Sequence, residues 1–128
     1  MTNKGRAIMS GLITGITALL PSHIALGTGT VDPTAASTAL TTELTTGNWA
    51  GYARAVATMS QLTTSVTNDT AKYSATFTNP GTTNPIAITE AGSFDAATVG
   101  NSFVLADFAA VNLATSDSIT INVTVQFT

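Results

Sequence analysis

The sequence predicts a mainly β domain, an antiparallel β-sandwich or jelly-roll-like fold with one or two short N-terminal helices, and three observations predict it. About a fifth of the chain is threonine, whose β-branched side chain is stiff at χ1 and suits a pleated sheet better than a helix. The last segment alternates without a fault: Ile119, Ile121, Val123, Val125 and Phe127 against Thr120, Asn122, Thr124 and Gln126, the period-two pattern of a strand with one buried face. Turn chemistry recurs at Asn68-Asp69, Asn79-Pro80-Gly81 and Ser116-Asp117, at the spacing of sandwich and barrel strands. At 128 residues the chain fits one domain. It divides into a helical arm over 1–22, a strand, turn and short helix over 23–48, and a β domain over 49–128, with no internal repeat and no linker.

The elements follow in chain order. Ile8, Leu12, Ile16 and Leu20 form a stripe at helical spacing with Met9, Ile13 and Leu19 beside it, so a helix is predicted over 7–20, ended by Pro21. Gly11 and Gly15 weaken it, so it needs packing on the domain or on a partner. Lys4 and Arg6 before this apolar run resemble the start of an export signal, but about 14 apolar residues fall short of a bilayer span, and neither a cleaved signal nor a membrane anchor is expected. A strand over 23–26 and a turn over 27–30 come next. Asp32 before Pro33 reads as an N-cap, and Ala36, Leu40 and Leu44 at i, i+4 and i+8 predict a second helix closed by Gly47 and Asn48. Strands are predicted at Tyr52-Arg54-Val56, Tyr73-Ala75-Phe77, Ile86-Ile88, 103–108 and 119–127.

Composition narrows the function. Four basic against seven acidic residues give a net charge of −3, which lacks the basic footprint of a nucleic-acid binder. With no cysteine and one histidine, disulfides, a thiolate nucleophile and multi-histidine or cysteine metal sites are excluded, and no cofactor is expected. Gly27 to Thr30 lacks the lysine of a phosphate-binding loop and the third glycine of a dinucleotide fingerprint.

The remaining chemistry-bearing residues each have a plainer reading. His23 has no nucleophile-elbow serine to serve. Glu90 and Asp95 have the residue types of a glycosidase pair, but across Ala91-Gly92-Ser93-Phe94, read as a turn, they are expected to bond local backbone. Asp107 in an apolar run is expected to face solvent or an arginine, Arg6 or Arg54. Trp49 and Tyr52, bounded by Gly47 and Gly51, read as the closing of the sandwich core, as an interface anchor, or as a platform for a sugar ring.

Several motifs resemble small virion proteins of tailed bacteriophages. They are Ile24-Ala25-Leu26-Gly27-Thr28-Gly29-Thr30, then Pro33-Thr34, Thr38-Ala39-Leu40 and Glu43, then Gly51-Tyr52-Ala53-Arg54, and the closing Asp117-Ser118-Ile119-Thr120-Ile121. Ile88-Thr89-Glu90-Ala91-Gly92-Ser93-Phe94-Asp95 is similar to a signature of those proteins and of the attachment regions of some tail fibres, with Ser93 where the family places a large apolar residue. The resemblance implies a non-enzymatic virion protein, assembled in the host cytoplasm. The leading expectation is a capsid decoration or cement protein that binds across capsomers of the major capsid protein as a homo-oligomer. The alternatives are a tail-fibre attachment or baseplate component bound to tail proteins, and a carbohydrate-binding module displayed on the particle. Candidate interface residues are Ile8, Leu12, Ile13 and Ile16 on the helix and Trp49 and Tyr52 in the loop.

Overall fold

In the computed structural model, which describes residues 1–16, 19–45, 52–81 and 86–128, the first helix starts before its apolar stripe does. Thr2 is extended and its hydroxyl accepts the Gly5 N–H at 2.9 Å, capping α1 (Asn3–Thr14). The same hydroxyl donates to the Ser102 carbonyl at 2.6 Å, which stitches the cap to the sheet. Gly15, left-handed at φ 71°, ends the helix, and its N–H bonds the Leu12 carbonyl. The helix therefore runs from 3 to 14 in place of 7–20: its bounds are set by backbone caps, which an apolar stripe does not report. Ile8 is buried in the core and Met9 and Leu12 pack against it.

Among the described residues the predicted second helix is absent, and its predicted end at Gly47 and Asn48 lies outside them. Residues 31–45 form turns at 35–36 and 41–42 and one bridge, Gly27 with Glu43. Glu90 takes two N–H groups that a helix would direct to its own carbonyls, those of Thr41 and Thr42, while Ser37 Oγ accepts from Thr34 in a turn. Leu40 and Leu44, read as one face, enter different clusters of buried side chains.

Among the described residues seven strands follow in two antiparallel sheets: β1 (His23–Gly27), β2 (Ala55–Val56), β3 (Thr58–Leu62), β4 (Thr70–Thr78), β5 (Ile86–Phe94), β6 (Ser102–Leu113) and β7 (Ser118–Gln126). Their order is β2-β1-β5-β6 in one sheet and β3-β4-β7 in the other. The chain passes from one sheet to the other at buried Ala57, whose N–H bonds the Ser22 carbonyl. The strand read over 52–56 is only two residues long, as the chain bends at Ala53, with Tyr52 wholly in the core. β3 carried no alternation, and all five of its residues are exposed. β5 continues straight through the segment read as a turn, and β6 extends well beyond 103–108.

Between the sheets lie Ile24, Leu26, Leu44, Phe77, Ile86 and Ile88, with Tyr73 meeting Phe103 edge-on at 6.0 Å. The β5–β6 register slips between Ile88 and Glu90. Ile86, Ile88 and Ala91 join this core, whereas Phe94 joins a second cluster with Ala25, Leu40 and Leu105 on the other face of the sheet. The slip re-aims Glu90 away from the core.

Of the turns, Asn79 is fully buried and bridges the Leu113 carbonyl and the Gly81 N–H. Asp69 closes the β3–β4 connection by accepting N–H groups from Val66, Ser65 and Thr64 at 3.0, 2.8 and 2.8 Å. These bonds hold its carboxyl well below the usual carboxylate range. A lowered folded pKa contributes stability that is present above the ordinary value of 3.8 and lost as pH falls below it. The protection of the amides of residues 64–66, measured against their intrinsic exchange rates, is therefore expected to hold down to about pH 4 and to decline below it, and Asp69→Asn is expected to lower that protection already at neutral pH.

Candidate functional site

Gly29, Thr41 and Thr42 meet Glu90 on the outer face of the β1–β5 pair, while the motif Asp117-Ser118-Ile119-Thr120-Ile121 lies at β7 in the other sheet. Glu90 is 4 % exposed, and its carboxylate meets no cation there. It accepts three backbone N–H groups instead: Gly29 at 3.0 Å and Thr42 at 2.7 Å on Oε1, and Thr41 at 2.9 Å on Oε2. Charge-assisted bonds of this kind satisfy a buried carboxylate as a counter-ion does. Space for it comes from two glycines. A β-carbon at Gly29 would lie 2.6 Å from Glu90 Oε1, and one at Gly27 would collide with the same oxygen. Thr89 adds a bond from its hydroxyl to the Gly29 carbonyl at 2.6 Å. The Gly-Thr-Gly-Thr stretch, the Thr41-Thr42 pair and the Glu90 strand are thus one clasp, which pins the 28–42 segment over the sheet.

Beside the clasp lies an arginine hub. Arg54 bonds Glu43 through two parallel contacts, Nε to Oε1 at 2.7 Å and Nη2 to Oε2 at 2.9 Å. Its Nη1 donates to the carbonyls of Ala96 and Val99. The guanidinium carbon lies over the Phe94 ring, 3.6 Å from its centroid. Asp95 shapes the turn that supplies those carbonyls, accepting from the Asn101 N–H at 2.7 Å and the Asn101 Nδ2 at 2.8 Å.

This geometry answers the catalytic readings. Glu90 does bond backbone, though the backbone is 48 to 61 residues away in sequence and not local; only Asp95 bonds locally. The two acids sit on a continuous strand and its end, each already engaged. Asp107 is exposed, as expected, but no arginine faces it. It lies against Asp32, and a side-chain hydrogen bond from that pair, together with the Asp107 charge, raises the Asp32 pKa. His23 Nδ1 shares a contact of 2.9 Å with Ser22 Oγ. No group of three or more potential metal-ligating side chains occurs among the described residues, and no helix there is long and apolar enough to cross a membrane.

The candidate interface residues separate into three groups. Ile8 and Leu12 face the protein's own core, while Ile13 and Ile16 are 79 % and 85 % exposed beside exposed Leu19 and Leu20. Trp49 lies outside the described residues. Tyr52 is fully buried, so it lines the core and presents no surface to a sugar ring. Its hydroxyl meets no partner among the described residues, and burial, followed by the Asp117 charge, pushes its pKa up. Tyr52→Phe removes that unmet group and is expected to raise stability by up to about 1 kcal/mol in urea unfolding; a loss of stability would reveal a hydrogen bond to the hydroxyl.

Sequence reasoning missed the clasp. Its signal was present, since one acid in an otherwise uncharged strand needs partners, and two glycines one residue apart leave room for them. The family described as Podophage GP4 fiber I protein gp80 matches residues 2–126 of the chain. No curated protein matches it.

Proposed function

The chain belongs to the Podophage GP4 fiber I protein gp80 family and is a structural protein of a phage virion; from that premise we propose that it is a fibre-associated component of the tail, which works by binding neighbouring virion proteins and performs no chemistry. The family match over residues 2–126 carries this reading. Two features of the fold support it. The acids and the arginine with the geometry to do chemistry are engaged in holding loops, as at Glu90, Asp95, Glu43 and Arg54. The side chains of Ile13, in the last turn of α1, and Ile16, just past its Gly15 cap, are exposed while the other face of the helix is already packed, so they are available to a neighbour.

Copy number tests the placement. Quantitative mass spectrometry of purified particles is expected to find tens of copies at most, with cryo-EM density at the tail; hundreds of copies over the head would replace this reading with the capsid-cement one. The double variant Ile13→Asp/Ile16→Asp tests the contact. Both side chains are exposed, so the fold is expected to change by less than about 0.5 kcal/mol each, while particles assembled with the variant are expected to lose it more than tenfold. Full occupancy by the variant would reject this helix end as the attachment point.

A further inference from the structure

We propose that the solvent face of α1 receives an acidic segment of a neighbouring virion protein, whose carboxylates meet Lys4 and Arg6 and whose apolar side chains cover Ile13 and the exposed residues that follow it. This rests on the reading of Ile13 and Ile16 as an attachment point and names the chemistry of what attaches there. Charge in the chain is segregated. All seven acidic residues lie beyond residue 31, whereas Lys4 and Arg6 stand near the start of α1. Both side chains are exposed, and neither meets an acid among the described residues. The first turn of α1 has no acidic residue either. The helix dipole is positive at that end, so two cations there work against the helix that carries them. A local conflict of this kind, with no acid of the chain to offset it, marks a functional contact.

Geometry brings the charge and the apolar surface together. Arg6, Ser10 and Ile13 follow at i, i+4 and i+7 on one stripe of the helix, and all three are exposed. At 1.5 Å per residue, Arg6 lies about 10 Å along the axis from Ile13. Lys4 lines a groove of about 230 Å³ together with Ala7, Ile8, Leu19 and Asn101. A partner's apolar side chain has room there, with a carboxylate beside it in reach of the Lys4 ammonium. Ile16 and Leu20 extend the exposed apolar surface past the helix end. Other occupants fit less well. A helix lying on a bilayer buries its apolar face in lipid, whereas that of α1, with Ile8, Met9 and Leu12, is taken up by the protein's own core. Two cations in a chain of net charge −3 do not make the footprint of a nucleic-acid binder. A second copy has few carboxylates to offer, because Glu43, Asp69, Glu90, Asp95 and Asp117 already accept bonds within the chain.

Carbodiimide treatment of purified particles, which joins an amine to a carboxylate in direct contact, tests the proposal together with charge reversal. Mass spectrometry is expected to recover Lys4 joined to an Asp or Glu of another virion protein. Lys4→Glu/Arg6→Glu sets acids at the positive end of the helix, so its Tm is expected to equal or exceed that of the wild type. Its binding to particles assembled without the protein is nevertheless expected to be at least tenfold weaker. Lys4→Arg/Arg6→Lys is expected to bind as the wild type does, and wild-type binding to weaken at least tenfold from about 0.05 to about 0.5 M NaCl. Full binding by the charge-reversed variant would overturn the proposal. If Ile13→Asp/Ile16→Asp still loses attachment in that assay, only the acidic partner falls; full binding by both variants removes the attachment reading as well. Lys4 joined only to a second copy of the chain, or wild-type chain held through Lys4 and Arg6 on vesicles of about 30 % phosphatidylglycerol, would likewise overturn it.

Discussion

Glu90→Gln is expected to destabilise the protein by about 3 kcal/mol in urea unfolding, because the clasp uses the carboxylate as an acceptor on both oxygens. An amide offers one acceptor oxygen. Whichever way it turns, its NH₂ faces at least one backbone N–H, so one or two buried donors lose their partner and the bonds that survive lose their charge. The cost is comparable to removing one partner from a buried charge-assisted network, where the penalty is the desolvation of what remains. The damage is expected to be local before it is global. Amide exchange at Gly29, Thr41 and Thr42 should accelerate well below the unfolding midpoint, since Glu90 is the acceptor for all three of these N–H groups. An unchanged midpoint with unchanged exchange at these three amides would show that the clasp contributes nothing. Gly29→Ala makes the complementary test from the other side, as its new methyl would press on Glu90 Oε1 and on the Thr41 side chain at 2.6 Å.

The clasp also shows what the sequence could and could not reveal. β4 and β7 were legible because each has one face in the core and one in solvent, so burial writes itself into alternation. β3 was illegible for the opposite reason: with both faces exposed it has no pattern to write. The second helix failed because Leu40 and Leu44 have helical spacing by coincidence, one filling the outer cluster with Phe94 and the other the inter-sheet core. Long-range partners decided that segment, and the deciding group, Glu90, is some fifty residues away. Tyr52 was ambiguous for a related reason. An aromatic next to glycine reads equally as loop or core until the strand crossing at Ala57 shows which way it turns. Ile13 lies in the last turn of α1 and Ile16 beyond it; Gly15 ends the helix before the stripe does, and the end of the stripe is left exposed.

Arg54→Ala is expected to cost about 3 kcal/mol, the usual penalty for leaving one member of a largely buried ion pair without its partner. The arginine side chain is 6 % exposed and that of Glu43 20 %, so solvent screens the orphaned carboxylate only in part. Three separate segments lose their common tie: residue 43 after the clasp, residue 54 before β2, and the 96–99 turn whose carbonyls the guanidinium holds. Arg54→Lys separates charge from shape. An ammonium can pair with Glu43, but it cannot make two parallel bonds to the carboxylate, reach both carbonyls and lie over Phe94 at once. It is expected to recover about half of the lost stability, with exchange in the 96–99 turn remaining fast. The double variant Arg54→Met/Glu43→Leu removes both charges while keeping bulk over Phe94. Buried pairs replaced in this way are often neutral or stabilising, so urea unfolding is expected to place the double variant near the wild type. A double variant as unstable as Arg54→Ala would show that the hub acts through its bonds to the 96–99 carbonyls, with the Glu43 pair adding nothing of its own.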